Sequence, residues 1–144
     1  MSTEPAPVTA AANPRTAAEA RAFVKHVESL FMPWDVAGIV DGFTEDCVVR
    51  FGTQPEIRGR VGLEKFFRAR SARQRGYRLS KEFRALSGDV IANSWDGDWE
   101  DAETGAKMTG FGVEIWVMRG GKIAVWDAAF NIAENGKAGG LGIT

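Results

Sequence analysis

The sequence predicts an α+β fold, with three helices packed on a strongly curved mixed or antiparallel sheet that forms a cone with an internal pocket. Three observations predict it. Apolar residues at helical spacing are confined to the first half of the chain. The second half reads as four long strands separated by glycine-containing turns. The aromatic content is heavy and apolar, with five Trp and nine Phe against one Tyr, which favours both cores and ligand cavities.

Taken in order, residues 1–15 are rich in Ala, Pro and Thr and are expected to form a loose arm. Thr16 can cap a first helix running from Ala17 to Phe31. Ala20, Phe23, Val24, Val27, Leu30 and Phe31 fall on one stripe of it, and Pro33 ends it. Asp35 can cap a short second helix reaching about Phe43, with Val36, Ile39, Val40 and Phe43 inward. Cys47–Phe51 reads as a strand, Gly52 to Pro55 break it, and Ile57 to Gly59 make a short return. A third helix is expected from about Val61 to Gln74, with Leu63, Phe66 and Phe67 apolar and Gly76 as its stop.

The four later strands are expected at Tyr77–Leu86, Asp89–Glu100, Met108–Met118 and Lys122–Asn131. Ser87-Gly88, Thr104-Gly105 and Gly120-Gly121 connect them as hairpin turns. Strands of this length twist and coil, so the sheet curves and leaves a hollow under the helices. Along Met108–Met118 one parity holds Thr109, Phe111, Val113, Ile115 and Val117, and the other holds Glu114 and Trp116 among glycines and methionines. Both faces are too apolar for open water. One is expected to face the pocket and the other to meet a second copy of the chain in a homodimer. The domain is therefore placed at 16–134, followed by a Gly-rich tail at 135–144.

Composition narrows the function. Hydrophobic residues make up 44% and charged residues 26% of 144, which suits one globular domain. A net charge of −1 gives no global field for nucleic acid or an anionic membrane. No apolar run approaches the roughly 18–20 residues of a bilayer span, and no secretory pattern opens the chain. One Cys and one His rule out an internal disulfide and a thiolate metal cluster. Cytoplasmic residence, with no metal and no organic cofactor, is the expectation.

Glu114 is the leading candidate for chemistry. It stands mid-strand between Gly112 and Trp116 in a segment almost without charge. A carboxylate among aromatics is pushed toward its neutral form and can act as a general acid/base. The alternative is a buried salt bridge to one of the many arginines, or an interface position. Trp95, Trp99, Trp116 and Trp126 lie on three successive strands, and Asn93 shares parity with Trp95 and Trp99. They can form the walls of a flat apolar cavity with Asn93 and Glu114 as polar points, or simply pack a core. Trp34 is placed at the mouth, and His26 lies at the margin of the first helix's buried stripe. Asp35 is read as a helix cap and Cys47 as a small core residue. Asp96, Asp98 and Glu100 share a face and are read as an acidic solvated hairpin end. The basic run from Arg58 to Arg84, Lys81 included, is read as a solvated, ion-paired face.

Several strings resemble the nuclear transport factor 2-like superfamily, in its SnoaL-like branch. They are Asp35-Val-Ala-Gly-Ile-Val, Phe43-Thr-Glu-Asp-Cys-Val-Val and Ile57-Arg-Gly-Arg in the opening half. Gly76-Tyr-Arg-Leu-Ser-Lys-Glu, Gly112-Val-Glu-Ile-Trp and Ala128-Ala-Phe-Asn resemble an uncharacterised bacterial family within it. The likeness spans about residues 16–134. It implies the cone fold, and a superfamily of isomerases, polyketide cyclases, epoxide hydrolases, dehydratases and non-catalytic modules. The isomerase general-base position is held here by Phe51, and the helix-one tyrosine position falls at or beside Val27, next to His26. The second isomerase acid matches Glu114. The hydrolase Arg and two Asp positions hold Trp95, Gly97 and Ala128. The aligned pattern also turns Trp126, Ala128 and Phe130 into the pocket and Asp127 and Asn131 away.

The combined expectation is a pocket for a small hydrophobic or polycyclic molecule. Glu114 and His26 are the candidate catalytic residues. Trp34, Phe51, Phe66, Asn93, Trp95, Trp99, Trp116, Trp126 and Phe130 are the candidate lining. The activity would be a cofactor-independent isomerisation, cyclisation or dehydration; the alternative is a dimeric binding or interaction module without turnover.

Overall fold

The computed structural model describes residues 12–137. The expected arm and tail therefore fall outside the described residues, except for 12–15 and 135–137. Within that stretch Asn13 is tied to the domain, its side chain bonding Asp89, the Met118 carbonyl and the Gly121 N–H.

Three helices precede most of the sheet: α1 (Ala17–Ser29), α2 (Val36–Asp41) and α3 (Arg60–Arg73). Thr16 caps α1 by accepting from the Glu19 N–H at 3.1 Å, and Asp35 caps α2 by accepting from the Gly38 N–H at 2.9 Å. Ala20, Val24 and Val27 of α1 are buried, as the periodicity requires.

The strands are β1 (Phe43–Phe51), β2 (Ile57–Arg58), β3 (Gln74–Ser87), β4 (Val90–Asp101), β5 (Lys107–Arg119) and β6 (Lys122–Glu134). They form one mixed sheet in the order β2-β1-β6-β5-β4-β3. All pairs are antiparallel except β1 with β6, which run parallel from Phe43↔Ile123 to Phe51↔Ala128. Gly120 and Gly121, at φ 58° and 76°, make the two-residue turn between β5 and β6, a conformation glycine reaches without steric cost.

Two local expectations are corrected. Phe43 opens β1 rather than closing α2, because the α2 cap at Gly42 leaves it already extended and buried against Trp126. Gly76 does not stop α3. The helix ends at Arg73 and β3 begins at once, with Gly76 at φ 63° inside a bulge between Arg75 and Arg78.

The free edge of β3 is covered by α1. Glu28 accepts from the Lys81 N–H at 2.6 Å, and Lys25 donates to the Lys81 carbonyl at 2.8 Å. This satisfies edge groups that would otherwise invite pairing with another strand. Among the described residues no helix is long and apolar enough to cross a membrane.

Candidate functional site

The inner face of the sheet and helix α3 enclose a cavity of about 450 Å³, within the usual range of roughly 300–1,000 Å³ for small-molecule sites. Strand alternation decides what faces it. From β3 come Tyr77, Leu79 and Lys81, from β4 Trp95, from β5 Glu114, and from β6 Trp126, Ala128, Phe130 and Ile132. Phe51 of β1 and Phe66, Arg70 and Arg73 of α3 complete the wall. Phe51 and Phe66 stack at 4.9 Å, and Trp95 approaches Phe130 at 6.4 Å. Most of the surface offered to a ligand is apolar, with aromatic rings as its largest side chains.

Trp95 reaches this wall because β5 opposite it carries glycine. Gly112 is its ladder partner, and a Cβ at Gly112 would stand 2.7 Å from Trp95 Cε2. A side chain there would lift the indole off the sheet.

Within this apolar lining Lys81 Nζ meets Glu114 Oε1 at 2.5 Å, and the two side chains are 2% and 4% exposed. The Lys81 ammonium also lies 5.0 Å from the centre of the Trp126 ring and 5.5 Å from that of Trp116. Burial pushes Glu114 up from the ordinary carboxylate range, with the Lys81 charge pulling the other way. Burial pushes Lys81 down, with Glu114 opposing. Trp126 contributes weakly to holding the Glu114 charge, but its indole N–H falls outside hydrogen-bonding geometry. The pair is net neutral wherever its proton resides, and the two groups titrate as a unit.

Arg70 is the second polar feature. Its guanidinium carbon lies 5.3 Å from the centre of the Trp34 ring, and 5.7 Å to 5.9 Å from those of Phe51, Phe66, Phe67 and Tyr77. Burial among these rings pushes its pKa down, opposed by Tyr77 and Glu114. The residue keeps partial exposure, so a guanidinium there stays charged at any accessible pH.

The expected residues divide. Glu114, Phe51, Phe66, Trp95, Trp126 and Phe130 are brought together around the cavity. His26 is exposed on α1 and absent from the wall. It precedes Val27 by one residue, roughly 100° around the helix, and so turns away from the buried stripe. Trp116 is fully buried and packs on Phe23 and Trp126 at 5.8 Å and 4.8 Å, as core rather than lining. Trp99 packs on Tyr77 at 5.7 Å, beyond the cavity. Trp34 is half-buried, packs against Phe31, Phe67 and Tyr77, and is not part of the cavity wall. Asn93 faces Glu114 across the β4–β5 ladder but is 1% exposed, and its amide has no partner among the described residues.

Lys81, Arg70 and Tyr77 were not among the expected site residues, and each carried a signal. Lys81 alternates with Arg78, Ser80, Glu82 and Arg84 and shares the parity of Tyr77 and Leu79. Arg70 follows Phe66 by four and Phe67 by three, on the apolar stripe of its helix. The acidic run is on the outer face, where Asp98 pairs with Arg78 and Glu100 with Arg75, each at 2.9 Å. Asp127 also lies outside, paired with Arg50 at 2.5 Å.

The family model described as a protein of unknown function (DUF1348) matches residues 13–134. No curated protein matches the chain. Among solved structures, one superposes at a TM-score of 0.72 with 15% sequence identity, covering 81% of this chain and 96% of the other. It is SalBIII, described as an epoxide hydrolase/cyclase-like enzyme with a role in pyran ring formation in the polyether salinomycin. At this identity the likeness shows the fold alone, three helices on a curved, unclosed mixed sheet.

Proposed function

The chain belongs to the DUF1348 family of proteins of unknown function, and from its own geometry we propose a small-molecule-pocket protein of SnoaL-like type. In this reading it moves protons on an apolar substrate without a cofactor, in an isomerisation, cyclisation or dehydration. One observation carries the reading: the buried Lys81–Glu114 pair in a largely apolar cavity wall. In water an ammonium holds its proton far more tightly than a carboxylate does. Burial raises Glu114 and lowers Lys81, so the two proton affinities move toward each other and the carboxylate becomes a stronger base than one in water.

Glu114 then serves as the general base for a carbon acid next to a carbonyl. It takes the proton, the C–H pair moves into the enolate, and the Lys81 ammonium donates a hydrogen bond to the developing oxyanion. Return of the proton at another carbon isomerises the substrate, and its delivery to a leaving hydroxyl releases water.

A non-catalytic binding module is the second reading. It is favoured by the same contact, since Lys81 already neutralises the carboxylate at 2.5 Å. The two separate in deuterium oxide. Apolar ketones incubated with the protein should exchange the hydrogens beside the carbonyl, read by mass spectrometry, and Glu114→Gln should lose the exchange. Binding of the ketones without exchange would leave the binding module as the function.

We also propose a second copy of the chain as partner for the outer sheet face. Phe111, Val113 and Ile115 of β5 stand there 54%, 51% and 43% exposed. Arg78, Asp98, Arg50 and Asp127 border them with both signs of charge, the pattern of a self-complementary patch with a polar rim.

A further inference from the structure

We propose that the cavity selects an apolar monoanion, a small carboxylic acid in its ionised form, with its carboxylate at Arg70 and its hydrocarbon body against Trp95, Trp126 and Phe130. The inference rests on the cavity being a ligand site and names the class of ligand it takes.

A charge imbalance carries it. Three cations face the cavity, Arg70, Arg73 and Lys81, against one carboxylate, Glu114. Lys81 is matched by Glu114 at 2.5 Å, and Arg73 by Asp101 at 3.1 Å and Glu103 at 3.3 Å. Arg70 has no carboxylate within ion-pair distance among the described residues. Its Nε and Nη2 both donate to the neutral Gln74 amide oxygen, at 3.1 Å and 3.0 Å.

The rings around Arg70 lower the cost of holding the charge, and they also shape what can approach it. Five ring centres stand 5.3 Å to 5.9 Å from the guanidinium carbon, and a planar partner meets a guanidinium along its edge. That is where a planar carboxylate forms paired charge-assisted hydrogen bonds. A neutral ligand would leave the charge uncompensated, and a cation would be repelled by it. A dianion would find one unmatched cation for two charges. The remaining wall, largely aromatic and aliphatic, calls for an apolar body.

The test uses the full chain and isothermal titration calorimetry at pH 7. The probes are 2-naphthoate, 4-phenylbutyrate and decanoate, each beside its primary amide. At least one acid is expected to bind about tenfold or more tightly than its amide, as one charge-assisted contact allows. Arg70→Met, close in length and apolar, should bring that acid down to the affinity of the amide. Equal binding of acid and amide to the wild type would overturn the inference while leaving the pocket reading intact. Failure of all six probes would overturn both. A preference for the acid that survives in Arg70→Met would overturn the assignment to Arg70. The wild-type comparison decides on its own if the variant does not fold.

Discussion

Trp95 stands directly opposite Gly112 in the β4–β5 ladder, and its indole fills the space that a side chain at Gly112 would need. A Cβ there would lie 2.7 Å from Trp95 Cε2 and 2.9 Å from the Ala129 carbonyl oxygen. At Gly110 it would lie 2.9 Å from Trp95 Cη2. The carbonyl belongs to the ladder and cannot yield, so the indole must swing into the cavity it lines. Gly112→Ala is therefore expected to cost about 1–3 kcal/mol, as overpacking does. It should also weaken any ligand that the wild type binds. Urea denaturation and calorimetry check it; unchanged stability with unchanged affinity would mean the ring is not seated on β5.

Lys81 and Glu114 should behave as a buried pair rather than a surface one, since they are 2% and 4% exposed. Lys81→Met leaves a carboxylate without its partner, and Glu114→Leu leaves an ammonium without one. Each is expected to destabilise by about 3–5 kcal/mol. The double variant Lys81→Met/Glu114→Leu should recover most of that loss, because no charge is then stranded. Guanidinium denaturation of the four proteins closes the cycle. Single losses near those of exposed pairs, below about 1 kcal/mol, would remove the desolvated setting on which the proton-transfer reading depends.

The same pair makes stability depend on pH in an unusual direction. Glu114 is raised above 4.5, so between that value and its folded pKa the native state holds a proton that the unfolded chain has released. Stability falls as pH rises through this window. Lys81 is lowered below 10.5, so between its folded pKa and that value the unfolded chain holds the extra proton. Stability rises with pH through that second window. Measured against Lys81→Met/Glu114→Leu, the wild type should be relatively least stable between the two windows and gain toward either side. A flat difference from pH 4 to pH 11 would show that neither group is shifted by burial.

Local pattern made the elements legible. The stripe of Ala20, Val24 and Val27 and the glycine turn at 120–121 appear in the structure where periodicity and turn chemistry put them. The parallel pairing of β1 with β6 was not legible, because Phe51↔Ala128 joins residues far apart in the chain and leaves no local trace. Glu114 was legible as a lone carboxylate in an apolar strand. Its partner was not, because Lys81 sits in a basic run most of whose members face water. Its parity with Tyr77 and Leu79 held the information, but charge density along the chain obscured it. Arg70 was hidden in the same way within α3.

The outer face yields the last prediction. Phe111, Val113 and Ile115 form a continuous apolar stripe along β5, which stands between β4 and β6 and so has no free strand edge. Association there must be face to face, through side chains. A charge placed in the middle of the stripe would be buried without a partner in a dimer, and exposed to water in a monomer. Val113→Glu should therefore halve the mass seen by light scattering while leaving the far-ultraviolet circular dichroism unchanged. It should also spare ligand binding, because Val113 points away from the cavity that its neighbour Glu114 lines. A wild type that is already monomeric at high micromolar concentration would remove the second copy as the partner of this face.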